Sequence, residues 1–376
     1  MSGCPDPIAR ASMKSRSSAL CRAFLASALS LGVLSAQAAS QSLNVLNWSE
    51  LIPVEVQKAY AQQTSTEMTY DILDSDDTLE SKLLTGNSGY DVVYPSSSYM
   101  AKQIKAGAYE PLDWSKIPNR VHLDPVLLKK VELHDLGNRY GVPFLWGTNG
   151  ILVNVKQVRA ILGEDFDLNT QALLFDPLVV SKLAKCGVSF LDSPQDVFTM
   201  VLAYLGRDPN SNDIEDYKAA YMQLQRVWPH IKQVNSTYRD QITRGDICVA
   251  MAWSGDAGVV NRIVRENKLD MDIRYITPKG QTPIWFTMMG IPKDARNKDA
   301  AYQWINYLLD PKVATQVTEY NSYPSSVQEA QEASRAIQDG RYAPSEAEIR
   351  SFYVSGTIGP KTIKVMTKYW RRLYSN

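Results

Sequence analysis

The sequence predicts an α/β protein built as two lobes. Short apolar strand patterns alternate with helical patterns between residues 43 and 94, and alternate again from residue 150 onward. The chain has 376 residues, more than the ~100–200 that one domain usually holds. Its composition, 44 % hydrophobic and 21 % charged, is that of an ordinary globular protein. That excludes a mostly disordered chain, a collagen-like chain and a polytopic membrane protein.

The first 38 residues stand apart. Lys14, Arg16 and Arg22 form a basic stretch, an apolar run spans 23–33, and Ala36-Gln37-Ala38 puts small residues at the cleavage positions. This is the order of an export signal. The apolar run is too short to span a bilayer. Cys21 precedes it, the wrong place for lipid attachment. Cleavage before Ala39 would leave 338 residues, with 36 basic against 39 acidic side chains.

In the first lobe, 43–48 reads as a strand and 54–63 as a helix. A strand at 68–73, a helix at 78–84 and a strand at 90–94 follow, the last stopped by Pro95. This alternation predicts a parallel sheet, with functional loops at the C-terminal ends of its strands. Trp48-Ser49-Glu50 and Pro95-Ser96-Ser97-Ser98 lie at such ends. In the second lobe, 150–154 reads as a strand, 155–162 as a helix and 188–191 as a short strand. Asp192-Ser193-Pro194 opens a helix to about 205. A strand at 247–253 leads through Ser254-Gly255-Asp256 into a helix from 257. The end is helical in pattern, at 300–309, 313–319, 325–337, 345–352 and 361–374.

Charge and motifs narrow the function. Lys plus Arg and Asp plus Glu are both 40, so the electrostatic footprint of a nucleic-acid binder is missing. The three histidines, His122, His134 and His230, are scattered, and the four cysteines form no CxxC. No zinc or iron–sulfur site is expected, and no cofactor. Cys186 and Cys248 remain after export. An even pair in an oxidising compartment reads as a structural disulfide, with two buried free thiols as the alternative. The bridge would close a loop of about 60 residues, worth on the order of 4 kcal/mol. The sequence holds no G-x-G-x-x-G, P-loop, H-E-x-x-H or G-x-S-x-G. A carboxylate pair of the glycosidase type leaves no sequence trace. An exported two-lobe chain without catalytic motifs nevertheless reads as a binding protein rather than an enzyme, its ligand trapped between lobes that close on a hinge.

Aromatic and acidic residues recur together: Trp48-Ser49-Glu50, Trp253-Ser254-Gly255-Asp256, Trp285-Phe286 and Tyr323. An alkylammonium ligand calls for this mixture. Carboxylates neutralise each ammonium head. Aromatic faces add cation–π attraction of roughly 0.5–2 kcal/mol each. Structural roles compete with this reading. Asp256 suits a helix N-cap, Asp196 sits three residues after Ser193 as a capping-box acid does, and Trp48, Trp253 and Trp285 suit a core.

Longer strings carry a resemblance. They include Asn47-Trp48-Ser49; Asp74-Ser75 with Leu79-Glu80 and Lys82-Leu83; and Tyr90-Asp91-Val92-Val93-Tyr94-Pro95-Ser96. Further on come Cys186-Gly187-Val188-Ser189-Phe190-Leu191-Asp192, Leu205-Gly206-Arg207-Asp208-Pro209-Asn210-Ser211, and Gly245-Asp246-Ile247-Cys248-Val249-Ala250. The last of these leads into Trp253-Ser254-Gly255-Asp256, and Asn306-Tyr307-Leu308-Leu309-Asp310-Pro311 lies near the end. In this the chain resembles the periplasmic putrescine/spermidine-binding proteins of polyamine ABC importers, most closely the putrescine-binding branch.

The resemblance implies a type II periplasmic-binding fold, with lobe one at 39–147 plus 270–320 and lobe two at 148–269 plus 321–376. It implies a periplasmic monomer that hands its ligand to an inner-membrane ABC permease. The family's disulfide falls on Cys186 and Cys248. At the family's putrescine site, Trp48, Ser49, Ser96, Trp253, Asp256 and Tyr323 match in type. Asp196 stands for a Glu, Trp285 for a Phe, Glu50 for an Asp, Leu51 for a Tyr and Asn235 for a Ser. Thr287 stands where the putrescine binders have an Asp that helps hold one ammonium head. That replacement admits a second reading, an ω-amino acid such as 4-aminobutyrate or 5-aminovalerate. Arg239 and Arg262 read as solvated surface charges rather than carboxylate receptors. Most cage positions persist, which favours the polyamine class.

Overall fold

The computed structural model describes residues 41–334 and 344–375. The export signal lies outside them, as does the end of the helix expected at 325–337.

Ten strands are present among the described residues: β1 Gln41–Trp48, β2 Thr66–Leu73, β3 Val92–Val93, β4 Gly141–Asn154 and β5 Val188–Phe190. They continue with β6 Gln233–Val234, β7 Val249–Trp253, β8 Ile273–Ile276, β9 Pro283–Gly290 and β10 Tyr353–Val354. The order is β2-β1-β3-β9-β4-β7-β5-β6, with β10 on β9 and β8 on β4. The helix-linked strands are parallel as expected, β1 with β2 and β3, and β5 with β6 and β7. The sheet is nevertheless mixed, which corrects the expectation of a parallel one. β4 runs antiparallel to β7, β8 and β9.

The reason is the length of β4. It has 14 residues, all buried. Its first half, to Thr148, pairs with β9, and its second half, from Asn149, pairs with β7. One strand thus belongs to both lobes, and the strands beside it return in the opposite sense. Only its second half was legible, because Pro143 and Gly147 interrupt the strand pattern of the first half.

Two faces of the first-lobe sheet are covered. Leu43, Val45, Tyr94, Phe144 and Trp304 pack on one side. Leu46, Val93, Trp146, Phe286 and Met288 pack on the other. The alternation 43, 45 against 46 is the period-two signature of a strand. The second-lobe core gathers Ile151, Val153, Phe175, Phe190, Val249 and Met251.

Packing differs from the expected lobe boundaries in two places. Ile273 and Tyr275 join the second-lobe core. Val327, Ala330, Ile349 and Phe352 join the first. The chain then crosses back, since Ile358, Met366 and Trp370 pack in the second lobe.

Most expected elements recur within a few residues: Val54–Thr64, Asp76–Leu84, Val155–Leu162, Pro194–Tyr204, Lys298–Leu308 and Pro360–Tyr374 are helices. The helix expected from 325 starts later, at Gln328–Ala333. Ser325 and Ser326 are instead extended beside β4, where the Ser326 amide donates to the Phe144 carbonyl. A disulfide joins Cys186 to Cys248, with Cα atoms 5.5 Å apart. It staples the turn before β5 to the approach to β7.

Candidate functional site

The site is built at strand ends and helix starts. Trp48 ends β1, and its indole Nε1 donates to the Tyr94 carbonyl at 2.8 Å, closing the ends of β1 and β3 together. Ser49 and Glu50 follow, both exposed, and Glu50 holds a left-handed φ of 58°. The Leu51 carbonyl accepts from Asn321 Nδ2 at 2.7 Å, while Asn321 Oδ1 accepts from the Tyr323 amide at 2.7 Å. One asparagine therefore pins both the loop after β1 and Tyr323.

Trp285 and Tyr323 meet edge to face, ring centres 5.3 Å apart. Two glycines make room for them. A Cβ on Gly147 would run into the Trp285 ring, and one on Gly255 would lie 2.5 Å from the Tyr323 ring. Trp285 Nε1 donates to Asn149 Oδ1 at 2.9 Å, so its orientation is fixed from β4.

Asp256 lies in the first turn of the helix Ser254–Glu266, but it is no cap. Trp253 is the N-cap residue, without a side-chain bond. The Asp256 carboxylate instead accepts from the Tyr238 hydroxyl at 2.5 Å, and that hydroxyl accepts from the Trp253 amide at 3.0 Å. Asp256 is 13 % exposed, and Arg239 Nη1 stands 3.6 Å from it. Burial pushes the Asp256 carboxyl above the usual range, while Tyr238 and Arg239 pull it back. The negative charge of Glu50 adds to the upward push, which places Glu50 within electrostatic reach.

Asp196 is likewise no capping-box acid, since Ser193 accepts no cap bond. Its Oδ2 accepts from Trp253 Nε1 at 3.3 Å. Burial raises its carboxyl too, against the pull of Ser193, Asn149 and Trp253. Trp253 thus connects the two acids, its amide through Tyr238 and its indole directly.

Ser96 and Thr287 form an isolated antiparallel bridge. Asp76 joins them: its Oδ1 accepts from the Ser96 amide at 2.9 Å, and its Oδ2 from the Ser96 hydroxyl at 2.5 Å. Asn235 is occupied locally, its Oδ1 accepting from the Thr237 amide at 3.1 Å in the turn before Tyr238.

The structure thus brings Trp253, Asp256 and Asp196 into one network, sets Trp285 against Tyr323 beside Gly255, and couples Ser96 to Thr287. It also adds residues that the sequence reading missed. Tyr238, Asn149 and Asn321 orient the set, and Asp76 supplies a carboxylate. Arg239, read from the sequence as a solvated charge, faces Asp256. The available signals were positional: Tyr238 and Arg239 open a helix after a polar turn, and Asp76 follows the cap Ser75. Among the described residues, no group of three or more His, Cys, Asp or Glu is arranged to hold a metal ion. No helix among them is long and apolar enough to cross a membrane.

The family model for bacterial extracellular solute-binding proteins matches residues 55–344. The chain belongs to this family. It is a solute-binding protein and not an enzyme. The solute-binding protein is 37 % identical to the putrescine-binding periplasmic protein PotF of Escherichia coli, over 93 % of this chain and 95 % of that one. It is 34 % identical to a putrescine/agmatine-binding protein of Pseudomonas aeruginosa, over 90 % and 93 %. The crystal structure of the spermidine/putrescine substrate-binding protein PotD from Streptococcus pneumoniae superposes with a TM-score of 0.75, at 24 % identity, covering 89 % of this chain and 99 % of that one. The fold is therefore the two-lobe fold of periplasmic substrate-binding proteins.

Proposed function

We propose that this solute-binding protein captures a polyamine of the putrescine/spermidine class between its lobes, in the periplasm, and delivers it as a monomer to an inner-membrane ABC permease. The observation that carries the reading is the Asp256 network. A carboxylate 13 % exposed is held by Tyr238, which also bonds the Trp253 amide; Asp196 accepts from the Trp253 indole, and Tyr323, packed on Gly255, meets Trp285 edge to face. An ammonium head would replace lost hydration there by charge-assisted hydrogen bonds. The aromatic faces would cover its methylenes, each buried CH₂ adding ~0.8 kcal/mol. Trp48, Ser49, Glu50, Ser96, Asn235 and Thr287 complete the proposed lining.

We propose lobe boundaries that follow the packing. Lobe one takes 41–147, 283–334 and 344–352, and lobe two takes 148–276 and 358–375, after an export signal of 38 residues. The segments between them are the hinge.

Two observations favour a polyamine over an ω-amino acid. Relatives that cover nine-tenths or more of the chain are named for putrescine. Arg239, the cation beside the site, is already turned toward Asp256 rather than left open for a ligand carboxylate.

The test is calorimetric titration of the mature protein after unfolding, ligand removal and refolding. Putrescine, cadaverine, spermidine, agmatine, 4-aminobutyrate and 5-aminovalerate form the panel. Submicromolar binding of a diamine or triamine is expected, and its loss in D256A. Binding of ω-amino acids alone would overturn the reading.

A further inference from the structure

A dication needs a negative charge at each end of its cleft, since an ammonium left without one forfeits its hydration uncompensated. The Asp256 network serves one end. At the other, Thr287 carries no charge. Trp285 and Thr287 are two residues apart on β9, so both side chains emerge on one face, about 7 Å apart along the strand. Trp285 meets Tyr323 on that face. Ser96 bridges Thr287, and Asp76 is bonded to Ser96 through both of its carboxylate oxygens. The serine hydroxyl donates its one hydrogen bond to Asp76, which leaves its oxygen free to accept from a ligand.

We propose that Asp76 is the charge-specifying residue at the Ser96–Thr287 end of the cleft: acting through the Ser96 hydroxyl, it supplies the negative charge that the second ammonium group of a dicationic ligand requires. This rests on the function proposed above and names the residue that makes that site prefer two positive charges to one.

The surroundings of Asp76 leave the charge available. On its own helix stand Asp77, which opposes its ionisation, and Glu80, which acts with it on Tyr109. From the helix Ser97–Lys105 come Tyr99, bonded to Asp77, and Lys102, whose charge eases the ionisation of Asp76. Tyr109 stays neutral, and so does His134, which contacts Ser97 at 3.0 Å and is lowered by burial to about 4. Burial raises the Asp76 carboxyl to about 6 despite its two bonds to Ser96. An arriving ammonium would favour the ionised form and expel the proton.

The experiment compares putrescine with butylamine, two ammonium groups against one on the same four carbons. In D76N we expect putrescine affinity to fall about 10- to 100-fold while butylamine changes little, the loss of one charged hydrogen-bonding partner. D76E, which keeps the charge and perturbs the tether, should keep the preference for putrescine. In the wild type the preference should fall as pH drops from 7 to 5, which needs no variant to fold. Equal losses for both amines in D76N, an equal loss of preference in D76E, or a preference flat across pH 7 to 5 would each overturn the inference. A wild type that binds neither amine would overturn the proposed function itself.

Discussion

Arg239 changes what Asp256 can offer an amine. A guanidinium 3.6 Å away already satisfies part of that carboxylate, and the arginine side chain is 37 % exposed. A ligand must compete with it. Arg239→Ala should therefore raise putrescine affinity about two- to fivefold at pH 8, the worth of a partly exposed ion pair. The pH matters, because Arg239 also holds the Asp256 carboxyl down. Without it Asp256 retains its proton to higher pH, and the gain should vanish toward pH 5. Titration at both values checks this, and weaker binding at pH 8 would mean that Arg239 contacts the ligand itself. Asp76 makes a second residue-level prediction. Its carboxyl sits at about 6 in the folded protein against 3.8 ordinarily. Between about pH 4 and 6 the folded state holds the extra proton, so the contribution of Asp76 to ligand-free stability falls as pH rises through that window and levels off above it. Asp76→Asn should reduce the pH dependence of stability without abolishing it, since Asp196 and Asp256 are raised in the same direction. Melting curves of both proteins between pH 4 and 7 read the difference, and identical slopes would show that Asp76 does not titrate there.

At the scale of elements, legibility followed locality. Val155–Leu162 was readable to the residue because Asn154 caps it and its apolar positions follow one face. The helices Pro125–Val131 and Pro177–Leu183 went unread although Asp124-Pro125 and Asp176-Pro177 carry clear start signals, the Asp side chains capping as such residues do. β9 went unread for a different reason. Its residues are nearly all buried, so it lacks the alternation that marks a half-exposed strand. The sense in which β4 and β9 pair is a property of the whole chain path. The site divides in the same way. Trp48, Trp253 and Asp256 stood out because aromatic and acidic types share short strings at strand ends. Asp76 and Arg239 lie 20 residues from Ser96 and 17 from Asp256, so only the folded sheet brings each to its partner. Glycines 147 and 255 are legible only once Trp285 and Tyr323 are seen lying on them.

At the scale of the molecule, the proposed capture between lobes calls for them to close, and the last crossover ties them at two fixed points. β10 pairs with β9 in lobe one. On the lobe-two side, Asn210 Nδ2 donates to the Val354 carbonyl at 2.9 Å and Asn210 Oδ1 accepts from the Gly356 amide at 2.6 Å. Asn212 Oδ1 accepts from the Gly359 amide at 2.7 Å. Both asparagines lie in or beside the string Leu205–Ser211, whose role was not readable from the sequence. They lie outside the proposed amine cage, so their effect on binding would pass through the geometry of the proposed closure. Asn210→Ala removes both of its strap bonds and leaves two backbone groups to find water, each costing about 1–3 kcal/mol if they remain buried. The expected result is weaker binding of putrescine and butylamine by the same factor, with the ligand-free melting temperature lowered. Equal loss is what separates it from Asp76→Asn, which should discriminate between the two amines. A variant that melts lower but binds both amines normally would show that the strap sustains the fold without setting the closed state.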